Sequence, residues 1–143
     1  MRFMVMGKAT KDTEAGVLPS QEALERMNRF NDELIRDGIV LGYDGLHPSA
    51  KGARLDFSGG GKPAVIDGPF AETKELIAGY LMVELPSLQA AIERFSRAPL
   101  GEGEEMEIRQ VWEPADLGAG MPQEIIDEEL RTRAELAKKR ARQ

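Results

Sequence analysis

One short segment, residues 67–75, concentrates titratable side chains between two apolar stretches. A plain turn at this place needs only Gly68-Pro69, yet the segment also carries Asp67, Glu72 and Lys74. A carboxylate at the edge of a cleft can move a proton, and a lysine beside it can hold an anion. We therefore interpret Asp67 as a candidate catalytic residue, with Glu72 and Lys74 setting the charge around a substrate. The structural alternative is a turn whose acids cap backbone amides and stay solvated.

His47 is the only histidine in the chain. Its imidazole is the only side chain here whose ordinary pKa suits proton transfer near neutral pH. It lies in Gly45-Leu46-His47-Pro48, a loop pattern that could present the ring to a cleft. The candidate role is general acid or base, and the alternative is a surface or hydrogen-bonding histidine.

Three basic residues could hold an anionic substrate or a developing oxyanion: Lys8, Lys51 and Arg109. The two lysines are equally compatible with plain solvation. Arg109 lies inside a predicted strand, where a charge needs a carboxylate such as Asp67 or Glu107, or else a ligand. A structural salt bridge is therefore the alternative role for Arg109.

Several classes of function are disfavoured by what the sequence lacks. There is no cysteine, and a lone histidine cannot build a His-rich metal site. No Walker loop, GxGxxG, GxSxG or HExxH pattern occurs. The carboxylates of Glu104, Glu105 and Glu107 alternate between the two faces of a strand, which does not suit cation binding. We predict neither a metal nor a cofactor.

The formal charge of −6 opposes binding to nucleic acids or anionic membranes, which are held chiefly by clustered lysine and arginine. No run approaches the roughly 20 apolar residues of a membrane span. The first six residues lead into Gly7-Lys8 instead of a long apolar signal core. These features predict a cytoplasmic protein with no nucleic-acid or membrane partner.

The elements that must position these residues can be read from hydrophobic periodicity. Residues 1–9 alternate as a strand with two apolar faces, and residues 76–85 form a longer one of the same kind. Residues 11–14 are predicted as a polar loop. Helical spacing follows Ser20 and stops before Gly38, and it returns after Ser87. Shorter strands are predicted at 39–41 and 106–112, and a hairpin at 53–57 and 64–66.

The resulting order is βαββαβ, an α+β fold with a hairpin inserted before the third main strand. Two helices can cover only one face of such a sheet, so the apolar residues on its other face need a second cover. An identical sheet from a second copy would supply that cover. The sequence therefore predicts a homodimer.

The chain divides into residues 1–115, which hold this core, and residues 116–143, which hold a linker and a C-terminal helix. Pro122 opens the helix, and acidic residues come early in it while basic residues come late, as the helix dipole favours. We interpret it as a solvated or partner-packed helix that uses Ile126, Leu130 and Ala137. A nucleic-acid-binding tail is the alternative.

The nine residues Asp67-Gly68-Pro69-Phe70-Ala71-Glu72-Thr73-Lys74-Glu75, followed by Gly79-Tyr80, resemble the signature of the DGPF proteins within the YCII-related (YciI-like) superfamily. The Met-rich first strand, Gly45-Leu46-His47-Pro48 and Glu107-Ile108-Arg109-Gln110 support this resemblance, which covers residues 1 to about 115. It implies a ferredoxin-like fold that forms a dimeric α+β barrel by packing sheet against sheet.

Some members of that superfamily look like small-molecule lyases or dehydrochlorinases that use a His-Asp pair, with the histidine on the first helix. Here that helix carries Met27, Asn28 and Asn31, so the pair is not carried over. Any acid–base role would pass to His47 and Asp67. Members like this one also resemble proteins encoded beside, or fused to, extracytoplasmic-function sigma factors.

Two functions are therefore expected from the sequence. The first is a cofactor-independent lyase or isomerase that moves a proton on a small anionic organic molecule. The second is a noncatalytic module that binds a small ligand or a sigma factor. A purely structural dimer is a third alternative, and it would leave the acidic segment without a pocket.

Overall fold

The computed structural model describes residues 1–118 and 120–141. The chain forms two compact units, Met1–Gln110 and Val111–Gln143. Within the described ranges, no helix combines the length and the apolar character needed to span a bilayer.

The first unit is built on an antiparallel four-stranded sheet in the order β2-β5-β1-β6, with a separate two-stranded hairpin of β3 and β4. The strands are β1 (Arg2–Lys8), β2 (Val40–Gly45), β3 (Ala53–Asp56), β4 (Ala64–Asp67), β5 (Ile77–Glu84) and β6 (Met106–Gln110). The helices of the chain are α1 (Lys11–Glu14), α2 (Gln21–Arg36), α3 (Leu88–Phe95) and α4 (Gln123–Arg140). Apart from α1 and the hairpin, the core elements follow the predicted βαββαβ order.

Helix α2 begins and ends where the sequence predicts. The hydroxyl of Ser20 accepts a hydrogen bond from the Ala23 amide, which satisfies one of the free N–H groups of the first turn. Gly38, with φ of 70°, ends the helix in the left-handed conformation that glycine adopts at least cost. The apolar stripe of the helix buries Phe30 and Leu34.

The core lies between one face of the sheet and the two longer helices of this unit. Each of its buried members is at most 8% exposed: Phe3, Val5, Val83, Phe30, Leu34, Ala91 and Phe95. The rings of Phe30 and Phe95 meet edge to face with their centroids 6.0 Å apart, which couples α2 to α3.

The opposite face of the sheet is also apolar at its centre. Side chains alternate along a strand, and the register pairs Met4 with Met82 and Met6 with Tyr80. These four side chains therefore point away from the core, and all four are half-buried in a single chain. We call this surface the open face.

Three local predictions are wrong in their bounds. Residues 11–14, predicted as a loop, form α1, because Thr10 and Thr13 each accept a hydrogen bond from the other's amide in a capping box. Strand β2 continues past Leu41 to Gly45, because β5 is long enough to pair with it. Strand β6 ends at Gln110 instead of Trp112, since its partner in β1 at that point is Phe3, one residue from the start of that strand.

The second unit contains α4 and a short 3₁₀ turn, Pro114–Leu117. The amide of Glu113 donates to the carboxylate of Asp116 at 2.8 Å, which closes that turn within the predicted linker. The predicted C-terminal helix is confirmed over Gln123–Arg140, with Pro122 preceding its first turn. Residues 142 and 143, which the prediction included, lie outside the described residues.

Candidate functional site

Most of the candidate residues lie at or next to one end of the four-stranded sheet, whereas Arg109 lies further along β6, where it pairs with Met4. Because the strands are antiparallel, β1 and β2 end where β5 and β6 begin. Lys8 pairs with Ile77, and the amide of Leu46 donates to the carbonyl of Ala78 at 2.8 Å. Three features therefore lie at the same end of the sheet: Lys8, the loop that carries His47, and the segment that leads into β5.

The loop of His47 and the segment of Asp67 touch through their backbones at Ser49 and Gly68. A Cβ atom added to Gly68 would lie 1.7 Å from the carbonyl oxygen of Ser49, so no other residue type fits without displacing the 3₁₀ turn Ser49–Lys51. The amide of Gly68 also donates to the carbonyl of Gly52 at 3.0 Å. Position 68 therefore requires glycine, because the backbones of two loops come into close contact there.

A side-chain network reinforces this junction. The carboxylate of Glu14 accepts hydrogen bonds from the amide of Ser49 at 3.0 Å and from its hydroxyl at 2.5 Å. The same hydroxyl oxygen accepts a hydrogen bond from the amide of Phe70 at 3.0 Å. Glu14 and Ser49 are both half-buried, where charge-assisted hydrogen bonds gain strength. Sequence reasoning missed both residues, because nothing in the local pattern around Glu14 indicates a partner so distant in the chain.

The aromatic residue of the segment is anchored by the hairpin. The guanidinium of Arg54 lies 3.9 Å from the centroid of the Phe70 ring, a cation–π contact. At the far end of the hairpin, hydrogen bonds from the hydroxyl and the amide of Ser58 lower the pKa of the exposed Asp56 carboxyl. The first contact ties the hairpin to the 67–75 segment, and the second stabilises the start of the hairpin's turn.

Asp67 ends β4 and faces solvent. The register pairs it with Ala53 and pairs Val65 with Leu55, so these four side chains share one exposed face of the hairpin. His47 is exposed as well. In the part of the chain that the structure describes, no hydrogen bond joins His47 to Asp67, although their loops are in contact.

The basic candidates differ in their surroundings. The ammonium of Lys8 lies 3.2 Å from a carboxylate oxygen of Glu107, and the Lys8 side chain is only 16% exposed. Arg109 reaches another oxygen of Glu107 at 3.9 Å but stays 74% exposed, so its carboxylate neighbour is Glu107 and not Asp67. Lys51 and Lys74 are exposed.

Glu72, also exposed, precedes the 3₁₀ turn Thr73–Glu75, and its carbonyl accepts a hydrogen bond from the Glu75 amide at 3.0 Å. The backbone of Glu72 therefore helps to set the path into β5. Its carboxylate stays accessible from solvent.

A row of four side chains crosses the open face near this end. The register aligns Asp44 of β2 with Tyr80 of β5, Tyr80 with Met6 of β1, and Met6 with Glu107 of β6. The phenol of Tyr80 donates to the Asp44 carboxylate at 3.2 Å. An apolar floor with polar ends can bind a small organic molecule or pack against a second protein surface. Sequence reasoning did not select Asp44 or Tyr80, because only the strand pairing makes them neighbours.

Among residues 1–118 and 120–141, no group of three or more His, Asp or Glu side chains is arranged to hold a metal ion.

Comparison with known proteins found similarity to a bacterial protein sequence and, more weakly, to a solved structure. Uncharacterized protein R00369 from Rhizobium meliloti (strain 1021) is 36% identical over 78 residues, which cover 52% of this chain and 62% of that protein. The match thus spans less than two thirds of that relative. Among solved structures, the chain is similar to 5-chloro-2-hydroxyhydroquinone dehydrochlorinase (TftG) from Burkholderia phenoliruptrix AC1100 in complex with 2,5-dihydroxybenzoquinone. That likeness has a TM-score of 0.37 and 14% identity, and it covers 78% of this chain and 94% of that one.

The sequence profile of the YCII-related domain matches residues 1–115. The matched region contains all the candidate site residues and ends before α4. The resemblance to the YCII-related superfamily is therefore confirmed, and the chain belongs to the family of proteins with a YCII-related domain.

Proposed function

We propose that this protein is a homodimeric, cofactor-independent lyase or isomerase that moves a proton on a small anionic organic molecule. The observation that carries the proposal is that the segments bearing Lys8, His47 and the polar residues 67–75 meet at one end of the sheet, beside the open face. A surface of this composition can hold the apolar body of a ligand and orient its charged end.

The roles follow from position. Asp67 or His47 serves as the proton-transferring group, because both project from loops that touch at Ser49 and Gly68. Arg109 is the best available cation for a substrate anion, since its contact with Glu107 is long and its side chain is largely exposed. Lys8 and Lys51 are secondary contacts for the same anion.

A dimer would complete such a site. Both Asp67 and His47 are exposed in the single chain, and proton transfer gains from the exclusion of water. Packing two open faces together as a dimeric α+β barrel would enclose the space beside them. The proposal therefore places the substrate between the open face and the second copy.

The test requires a substrate first. We would screen small carboxylates and hydroxylated aromatic acids for binding by thermal shift, and follow turnover of the hits by NMR. Asp67→Asn and His47→Ala are each expected to lower kcat, by about 100-fold or more for the residue that transfers the proton. Asp56→Asn, which removes an exposed carboxylate at the other end of the same hairpin, is the matched control. Full turnover by both site variants would refute the assignment.

A second candidate is a noncatalytic module that binds a small ligand or a regulatory partner such as an extracytoplasmic-function sigma factor. The absence of a hydrogen bond between His47 and Asp67 in the described part of the chain favours it, because acid–base pairs are usually coupled in this way. It predicts ligand binding without turnover, equally in wild type and in Asp67→Asn. Turnover that depends on Asp67 would eliminate it.

A further inference from the structure

Helix α4 has an apolar side chain near each end of one face, Ile125 and Leu136, with Thr132 between them; we call this face the stripe. Ile125, Thr132 and Leu136 recur at i, i+7 and i+11, a spacing that places them along one face of a helix. Ile125 is 50% exposed and Leu136 is 56% exposed. Helices in proteins gain most of their stability from packing an apolar face against another surface, so the exposed Ile125 and Leu136 suit a partner.

A groove of about 390 Å³ runs beside the first half of this stripe, between α4 and the turn Pro114–Leu117. Its apolar lining includes Trp112, Leu117 and Ile125. Both Trp112 and Leu117 are exposed, at 67% and 39%. The groove therefore has an apolar surface that the second unit itself does not cover.

Arg133 holds the walls of the groove in place. Its guanidinium lies 2.8 Å from a carboxylate oxygen of Glu129 on α4 and 3.3 Å from one of Glu113, the residue before the turn Pro114–Leu117. It also donates to the carbonyl of Trp112 at 3.4 Å. The groove is thus preformed, and an occupant would not need to open it.

The two halves of α4 carry net charges of equal size and opposite sign. The first nine residues, 123–131, contain four acids and one base, for a net charge of −3. The last nine, 132–140, contain four bases and one acid, for a net charge of +3. The helix dipole favours this order only within the terminal turns, so it does not account for Asp127, Glu128 and Glu129 in the second turn.

We propose that α4 pairs antiparallel with α4 of a second copy, with Ile125 of each helix opposite Leu136 of the other. The antiparallel arrangement sets each −3 half against a +3 half, whereas a parallel pair would set like charges together. The interface is self-complementary, as a two-fold axis requires. Each Leu136 then enters the groove beside Ile125 of the other copy. This surface lies within the second unit, Val111–Gln143, and does not depend on the proposed reaction.

Cysteine cross-linking in the full chain tests the pairing, because the protein has no cysteine of its own. In the antiparallel pair the two copies of position 125 are separated by about 16 Å along the axis, as are the two copies of position 136. Ile125→Cys alone and Leu136→Cys alone should therefore form no disulfide-linked dimer under mild oxidation. An equimolar mixture of the two variants should form one. Cross-linking by each single variant would indicate parallel pairing, and no cross-link in the mixture would indicate no pairing; either result overturns the proposal.

Charge reversal provides a second test that does not alter the apolar stripe. Glu124→Lys with Asp127→Lys and Glu128→Lys makes both halves +3, and Lys138→Glu with Lys139→Glu and Arg140→Glu makes both halves −3. In the wild-type protein the fluorescence of Trp112, the only tryptophan in the chain, should change with concentration, because pairing covers the groove that Trp112 lines. Each triple variant alone should lose this change, and a mixture should regain it. Circular dichroism confirms that α4 stays folded in each variant. Failure of the folded mixture to regain the signal would contradict the pairing.

The disulfide position reports on α4 alone, so the result is independent of whether the open faces of the first unit also associate. A basic or acidic protein partner in place of a second copy would leave the purified chain without this cross-link. Loss of the cross-link would therefore reject the α4 pairing while leaving the proposed chemistry intact.

Discussion

At the scale of single residues, a neighbouring backbone carbonyl explains why position 68 is a glycine. Its backbone faces the Ser49 carbonyl so closely that a methyl group would overlap the oxygen. Gly68 thus has a structural role at the junction between two loops. The chemistry proposed for the segment depends on Asp67, Glu72 and Lys74 instead.

Gly68→Ala should destabilise the first unit by about 1–3 kcal/mol, or prevent its folding, because the turn Ser49–Lys51 must move to admit the Cβ atom. Urea denaturation followed by circular dichroism measures the change. Gly59→Ala is the matched control, since a Cβ atom at that position meets no atom within 4 Å. Equal stability of the two variants would show that the contact is not a constraint.

Ser49→Ala should loosen the same junction by a different route. The substitution leaves the amide of Phe70 without its acceptor and removes the hydroxyl donor to Glu14, a loss of about 1–3 kcal/mol when such groups are partly buried. Hydrogen exchange of the Phe70 amide should become faster. Ser58→Ala, in the exposed turn of the hairpin, should leave it unchanged; unchanged exchange in Ser49→Ala itself would contradict the network.

At the scale of elements, α2 shows how periodicity translates into stability. One side of the helix buries Phe30 and Leu34 against the sheet, and the other side is solvated. The stripe read from the sequence is therefore the stripe that packs.

Leu34→Ala should lower the free energy of unfolding of the first unit by about 2–5 kcal/mol, because it leaves a cavity at a fully buried position. Leu24→Ala on the same helix removes a side chain that is 47% exposed and should cost much less. Urea unfolding curves of the two variants measure the difference. Similar losses would mean that Leu34 does not contribute to the core as its burial indicates.

At the scale of the whole molecule, the open face raises the question of assembly. Met4, Met6, Tyr80 and Met82 form an apolar centre that a single chain leaves half-covered. Lys8 and Glu107 lie at one edge and Asp44 at the other, so the patch has a polar rim of the kind found at interfaces.

Met82→Lys, made in a chain that also carries Lys138→Glu, Lys139→Glu and Arg140→Glu so that α4 cannot pair, should shift the protein from dimer to monomer. The substitution places a charge at the centre of the proposed interface. Multi-angle light scattering at micromolar concentration measures the mass. Leu55→Lys, on the exposed hairpin, is the control and should not change the mass. A wild-type protein that is monomeric under these conditions would reject the dimer through the open face.

The sequence by itself determined most of the secondary structure, and it is also the source of the prediction that the site lies at residues 67–75. Period-two alternation and Ser20, Gly38 and Ser87 predicted β1, β5, α2 and α3, because these signals depend on residues a few positions apart. The density of polar groups in residues 67–75 marked the segment before its surroundings were known. The bounds of β2 and β6 were missed, since a strand extends only as far as its partner does.

Only the tertiary structure decided how the site residues are connected. Glu14 meets Ser49 across 35 positions of sequence, and Lys8 meets Glu107 across 99. Such contacts depend on strand order and on the register of β1 with β6, which no local pattern encodes. The physical reason is that periodicity indicates on which face of a helix or strand a side chain lies. Which other side chain it contacts depends on the packing of the whole chain.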